Sequence, residues 1–134
     1  MAIQLSTTVR NARLDAVETA IGTSPQLRLY TGAVPASCAT AASGTLLATI
    51  TLPSDWLSAA SSGSKAMAGT WSGTGAAAGA AGYYRIYDST GTTCHLQGTV
   101  TATGGGGDMI LDNTSIASSQ AVSVSSYSLT DANA

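Results

Sequence analysis

Apolar positions recur at spacings of three and four near the amino end of the chain, and at spacings of two almost everywhere after it. Leu14, Val17 and Ile21 fall on one stripe of a 3.6-residue period. Ser6, Thr7 or Thr8 stand where an N-cap oxygen is wanted, and Gly22 stands where a left-handed C-terminal residue is wanted. Together these predict a helix over residues 6–22, with Arg10, Arg13, Asp15 and Glu18 on its other faces. An isolated helix of that length is marginal in water, so so narrow a stripe is expected to dock on a sheet or on a neighbouring subunit.

Beyond Pro25 the alternation predicts strands over residues 26–31, 46–52, 66–71, 82–87, 94–100, 109–111 and 121–129. In the second of these, Leu46, Ala48, Ile50 and Leu52 share a face. The segment 82–100 reads as a hairpin around a polar turn, and residues 53–57 read as a short turn of helix. Residues 32–44 form a loop rich in Ala and Ser. The Gly/Ala run 73–82 reads as a flexible loop, with a tightly packed backbone crossing as the alternative, and 104–107 as a flexible tip. The expected fold is mainly β, an antiparallel β-sandwich with one N-terminal α-helix. Residues 1–5 form an N-terminal arm, 6–22 the helix and 23–134 the sandwich, within one domain.

Composition narrows the function classes. Only 9% of the 134 residues are charged, the net charge is -2, and Leu, Ile and Val number 23 with no Phe. More than half of the chain is Ala, Gly, Ser or Thr. A surface this neutral is expected to pack against neighbours. The five basic residues (Arg10, Arg13, Arg28, Lys65 and Arg85) are scattered, which argues against nucleic-acid binding. No window is apolar for long enough to span a bilayer, so no membrane partner is expected. Residues 1–6 lack a basic stretch followed by an apolar core, so no secretory signal is expected, and synthesis and assembly are expected in a cytoplasm.

Candidate chemistry is sparse. His95 and Cys94 are adjacent in a strand, so their side chains diverge and make no catalytic dyad. Asp108 and Asp112 lie about 13 Å apart along a strand and lack the alternating spacing of a calcium loop. Asp88 sits at a turn, where its carboxylate accepts from local N–H groups. No catalytic residue, metal site or cofactor is expected. Cys38 and Cys94 read either as free thiols or as a single bridge formed in oxidising surroundings. The aromatic cluster reads as core packing or as a contact surface. Tyr83, Arg85 and Tyr87 share one strand face, a surface suited to another protein or a sugar, with Trp56 and Trp71 nearby in sequence.

The opening MAIQLSTTVRNARLDAV resembles a group of small tailed-bacteriophage virion proteins. So do Tyr84-Arg85-Ile86-Tyr87-Asp88, Gly91-Thr92-Thr93-Cys94-His95 and Leu111-Asp112-Asn113-Thr114-Ser115-Ile116-Ala117. The resemblance implies a place in a virion and carries over no site residues. The leading expectation is a non-enzymatic capsid decoration (cement) protein, with the major capsid protein and copies of itself as partners. The interface is expected at Ile3 and Leu5 of the arm, at the helix stripe Leu14, Val17 and Ile21, and at the face Tyr83, Arg85 and Tyr87. A tail, head–tail connector or fibre component is the alternative, and a glycan-binding virion module using Tyr83, Tyr87 and a tryptophan is a third reading.

Overall fold

The computed structural model describes residues 3–132. Helix α1 (Thr7–Ile21) starts where Ser6 Oγ accepts from the Val9 N–H at 3.2 Å, and ends where the Gly22 N–H reaches the Glu18 carbonyl at 2.9 Å. Both ends are thus closed by the residues the sequence marks for them. Residues 3–5 precede the helix as irregular chain. The first two residues of the expected 1–5 arm lie outside the described residues.

Among the described residues ten strands follow: β1 (Gln26–Tyr30), β2 (Leu46–Thr51), β3 (Ser64–Ala66), β4 (Ser72–Thr74), β5 (Gly79–Ala80), β6 (Tyr83–Tyr87), β7 (Cys94–Ala102), β8 (Met109–Leu111), β9 (Ser115–Ile116) and β10 (Ala121–Thr130). The main sheet runs β2-β1-β6-β7-β8-β10-β3, with β4 also paired to β10, while β5 and β9 form a separate ladder. The sheet curls until β4 meets β2, where Ala48 bridges Gly75 and the Ala76 N–H donates to the Leu47 carbonyl at 2.7 Å. The result is mainly β with one helix, sandwich-like around a single apolar cluster that includes Leu27, Leu29, Ile50, Trp56, Trp71 and Met109.

The antiparallel expectation needs one correction. β7 and β8 run parallel, with Val100 opposite Met109 and Ala102 opposite Leu111. Parallel neighbours usually need a crossover of a dozen or more residues. Here residues 103–108 suffice, because Gly104 and Gly106 take φ of +86° and +74°, where side-chain-bearing residues are strained. The return is pinned by the Gly107 N–H to Thr101 Oγ1 at 2.9 Å and by the Asp108 N–H to Thr99 Oγ1 at 3.1 Å. The expected flexible tip is therefore a tight, hydrogen-bonded turn.

Other local expectations change as well. A register shift at Leu29/Tyr30 turns Leu46 outward, 37% exposed, and puts Leu47 inside. Residues 53–57 form no helix; Leu57 bridges Met67, and Trp56 is sealed inside with its Nε1 donating to the Gly22 carbonyl at 3.0 Å. The strand expected over 66–71 divides into β3 before it and β4 after it. The Gly/Ala run is a packed crossing, since a Cβ on Gly75 would collide with the Ala117 carbonyl and come within 2.8 Å of Ile116 Cγ2.

Candidate interaction surfaces

Strand β6 is buried along its whole length, which decides the fate of the Tyr83, Arg85 and Tyr87 face. Tyr84 and Ile86 point into the apolar cluster. The opposite face is covered by residues 32–44, which fold back over it as a lid. Tyr83 Oη donates to the Ser43 carbonyl at 2.6 Å and accepts from the Ser43 N–H at 3.0 Å. Arg85 Nη2 donates to the carbonyls of Ser37 at 3.1 Å and Thr40 at 2.7 Å. Gln97, opposite Arg85 on β7, donates from Nε2 to the Pro35 carbonyl at 2.7 Å. Tyr30 stacks on Tyr83 with ring centroids 5.0 Å apart, and the Arg28 guanidinium lies 4.5 Å over the Tyr87 ring. The interface expected at Tyr83, Arg85 and Tyr87 is thus closed by the chain's own lid.

Arg85 is a buried cation, 2% exposed, whose acceptors in the lid are neutral carbonyls. Burial works to lower its pKa, but the Tyr87 hydroxyl and the nearby Cys94 and Tyr83 outweigh this and raise it above its ordinary value. A charge held this way fixes the lid's position, because its hydrogen bonds are charge-assisted and water is excluded.

The helix stripe is also used internally. Leu14 and Ile21 are buried, and Val17 packs against the core. The stripe expected to await a second subunit is therefore completed by the chain's own sheet. The flank of α1 is clipped down by charge. Lys65 on β3, 2% exposed, reaches Asp15 Oδ1 at 2.8 Å and Glu18 Oε2 at 2.7 Å. Burial pulls the Lys65 pKa down, but the hydrogen bonds its ammonium donates to the two carboxylates raise it overall, and the Lys65 contact holds Asp15 below its ordinary value. At the other end, Arg10 Nη1 donates to the Asp131 carbonyl at 3.1 Å, and Arg13 Nε pairs with Asp131 Oδ2 at 3.2 Å.

Between the first half of β7 and the last residues of β10 the sheet splits. Strand β8 pairs β7 only from Val100 onward and pairs β10 only as far as Tyr127. The gap is a groove of two connected depressions, about 420 and 300 Å³, that share Leu96, Leu129 and Thr130. One is floored by Tyr84 and Tyr127, whose hydroxyls meet at 2.8 Å, with Asp108 at its rim. The other is walled by Leu14, Val17 and Arg13 of α1. Burial pushes the Tyr84 hydroxyl up to about 12 and the Tyr127 hydroxyl up as well, so both are neutral donors and acceptors. No feature of the sequence other than the end of the 109–111 strand signals this groove.

The remaining expected site residues lie at the amino end. Ile3 is 79% exposed and Val9 44% exposed, whereas Leu5 is partly buried. Trp56, Trp71 and Tyr83 are fully buried and Tyr87 nearly so, which leaves no ring face for the sugar stacking considered for them. His95 is exposed. Asp88 Oδ1 accepts from the Thr92 N–H at 2.9 Å and from Thr90 Oγ1 at 2.8 Å, contacts that lower its pKa. Asp108 accepts from the Thr99 N–H at 2.9 Å and Asp112 from the Asn113 N–H at 2.8 Å, so both carboxylates shape turns. No group of three or more His, Cys, Asp or Glu placed to hold a metal occurs among the described residues. No family model, curated protein or solved structure matches the chain.

Proposed function

We propose that this protein is a non-enzymatic structural component of a tailed-phage virion, a capsid decoration protein that binds the outer surface of the head. Its partners on this reading are the major capsid protein and further copies of itself. The resemblance of its opening and its β6–β7 segment to small virion proteins motivates the proposal. The observation that carries it is the distribution of apolar groups. All five tyrosines and both tryptophans are buried, while Ile3 and Val9 stand exposed at the amino end. An exposed Ile3 ahead of a well-capped helix suits attachment to a neighbour's sheet edge or groove.

The site expectation shifts accordingly. Ile3 and the outer side of α1 replace the helix stripe and the tyrosine face as the proposed contact. Purified heads lacking the protein provide the test. Wild-type protein is expected to bind them saturably, in a number of copies proportional to the major capsid protein. Deletion of residues 1–5, or Ile3→Asp, is expected to abolish binding while leaving the circular dichroism spectrum and melting temperature unchanged. Unchanged affinity of the truncated protein would remove the arm. A few copies per particle, by densitometry of purified virions, would place the protein in the tail or connector instead.

A further inference from the structure

The lid carries one cysteine, Cys38, over a strand face that carries the other, Cys94. Cys38 lies between Ser37 and Thr40, whose carbonyls are both held by Arg85 Nη2 at 3.1 and 2.7 Å. Cys94 opens β7 and pairs with Tyr87, two residues along β6 from Arg85. A register shift between Ile86 and Tyr87 lets Cys94 take the place across from Tyr87, on the lid's side of the sheet. Three anchors fix the lid along this face: Pro35 on Gln97, Ser37 and Thr40 on Arg85, and Ser43 on Tyr83. They bring the Cys38 segment onto the side of the sheet where Cys94 lies, and Cys38 joins burial in raising the Cys94 thiol. Both cysteines are free and half-buried.

We propose that Cys38 and Cys94 form a redox-dependent disulfide site, in which oxidation by a small-molecule disulfide such as oxidised glutathione locks the lid onto β7. The lid has no regular structure of its own, so its closure depends on the few anchors named above. A covalent link at its middle removes the opened states directly, and it also constrains the unfolded chain over a long loop.

The chemistry divides between the two thiols. Burial and the neighbouring Cys38 push the Cys94 thiol up to about 12, with Arg85 pulling the other way, so Cys94 stays protonated at neutral pH. Cys38 therefore makes the first attack. It loses its proton to solvent, and its sulfur bonds to one sulfur of oxidised glutathione. The glutathione S–S bond breaks, and one glutathione thiolate leaves and takes up a proton. Cys94 then gives its proton to solvent and attacks the Cys38 sulfur, and the second glutathione leaves in the same way. Two S–H bonds are lost and one S–S bond is formed in the protein, while one oxidised glutathione is reduced to two thiols.

The full chain is equilibrated with oxidised glutathione at mildly alkaline pH, and a parallel sample is kept in phosphine reductant. The expected product is a monomer that has lost two hydrogens in mass, shows no titratable thiol and yields a Cys38–Cys94 cross-linked peptide. Its melting temperature is expected to rise by about 10 °C over the reduced form, with slower amide exchange at Ser43. Cys94→Ser is expected to stop at a stable glutathione adduct on Cys38, and Cys38→Ser to leave a Cys94 that burial still raises and that reacts more slowly than Cys38 does. Persistent thiols, glutathione adducts without closure, or disulfide-linked dimers alone in the wild-type chain would overturn the proposal. A bond that forms but shifts neither the melting temperature nor Ser43 exchange would overturn the lock.

Discussion

The hydroxyl pair Tyr84–Tyr127 offers a quantitative test of how tightly the split in the sheet is sealed. The two oxygens lie 2.8 Å apart, both side chains are 2% exposed, and the rings meet edge to face at 83° with centroids 5.4 Å apart. Tyr84→Phe removes one hydroxyl and leaves the other buried without its partner, at a cost of about 1–3 kcal/mol. Tyr127→Phe does the same from the other side. In the double variant neither hydroxyl remains, while the ring packing and the contact of residue 127 with Trp71 persist. Its cost should be near that of one single variant or below it, which gives a coupling of at least about 1–3 kcal/mol. For a chain of this length each kcal/mol moves the melting temperature by about 3–4 °C. Thermal and urea unfolding of the four proteins, followed by far-ultraviolet circular dichroism, measures the cycle. Additive single effects, or single variants that cost less than about 0.5 kcal/mol, would show that groove water satisfies each hydroxyl and that the pair is not sealed.

Two further outcomes follow from the lid and from the buried hydroxyls. Tyr83→Phe removes the only side-chain anchor of Ser43 among the described residues, worth about 1 kcal/mol, so amide exchange at Ser43 should speed up roughly five- to tenfold; unchanged protection would mean the lid is held elsewhere. Tyr30 and Tyr84 are pushed from 10.0 to about 12 by burial, and Tyr127 and Lys65 are also raised. Groups with raised pKa values contribute stability that is complete below their unfolded values and is lost as pH rises through the folded ones; with the Cys94 thiol also raised from 9.0 to about 12, unfolding free energy should be level up to about pH 9 and fall steadily toward pH 12, as measured by urea titration at each pH.

The local parts of this architecture are legible in the chain, and the non-local parts are not. Ser6 and Gly22 mark the helix ends because capping is a matter of three or four neighbouring residues. The strands around Leu27–Leu29 and Tyr83–Tyr87 show in their alternation for the same reason. Leu46 leaves the face that its alternation with Ala48, Ile50 and Leu52 predicts, because a register shift is set by the partner strand, not by the strand's own pattern. The run Gly104 to Gly107 reads as mobile by composition, yet its glycines are what allow a six-residue parallel return. The lid is the largest loss. Its anchors are carbonyl oxygens of Pro35, Ser37, Thr40 and Ser43, and a carbonyl has no residue type for a sequence to display. The alternation of Tyr83, Arg85 and Tyr87 therefore correctly indicates one shared face, and gives no sign that the face is covered. The placing of Cys38 over the strand face that carries Cys94 is hidden in the same way.

The interior disposition of the aromatic residues limits how this chain can recognise anything. Binding energy at protein interfaces concentrates on buried Trp, Tyr and Arg anchors. Here every Trp and Tyr is already spent on the core or beneath the lid, and Arg85 is committed to lid carbonyls. Among the described residues, the exposed large apolar groups are Ile3, Val9 and Leu46. With so few charges, electrostatic steering contributes little, and salt should have little effect on association. What remains is backbone hydrogen bonding and close approach of Ala, Ser, Thr and Gly surfaces, each contact weak and dependent on shape. Such surfaces gain strength when many copies bind a repeating lattice, where neighbouring contacts act together. On the proposed reading, a shell of identical subunits supplies that lattice, and the neutral, hydroxyl-rich exterior is suited to it because no long-range repulsion opposes crowding of adjacent copies. The tyrosine face is covered by the lid, which is why the amino-terminal segment is the proposed point of contact.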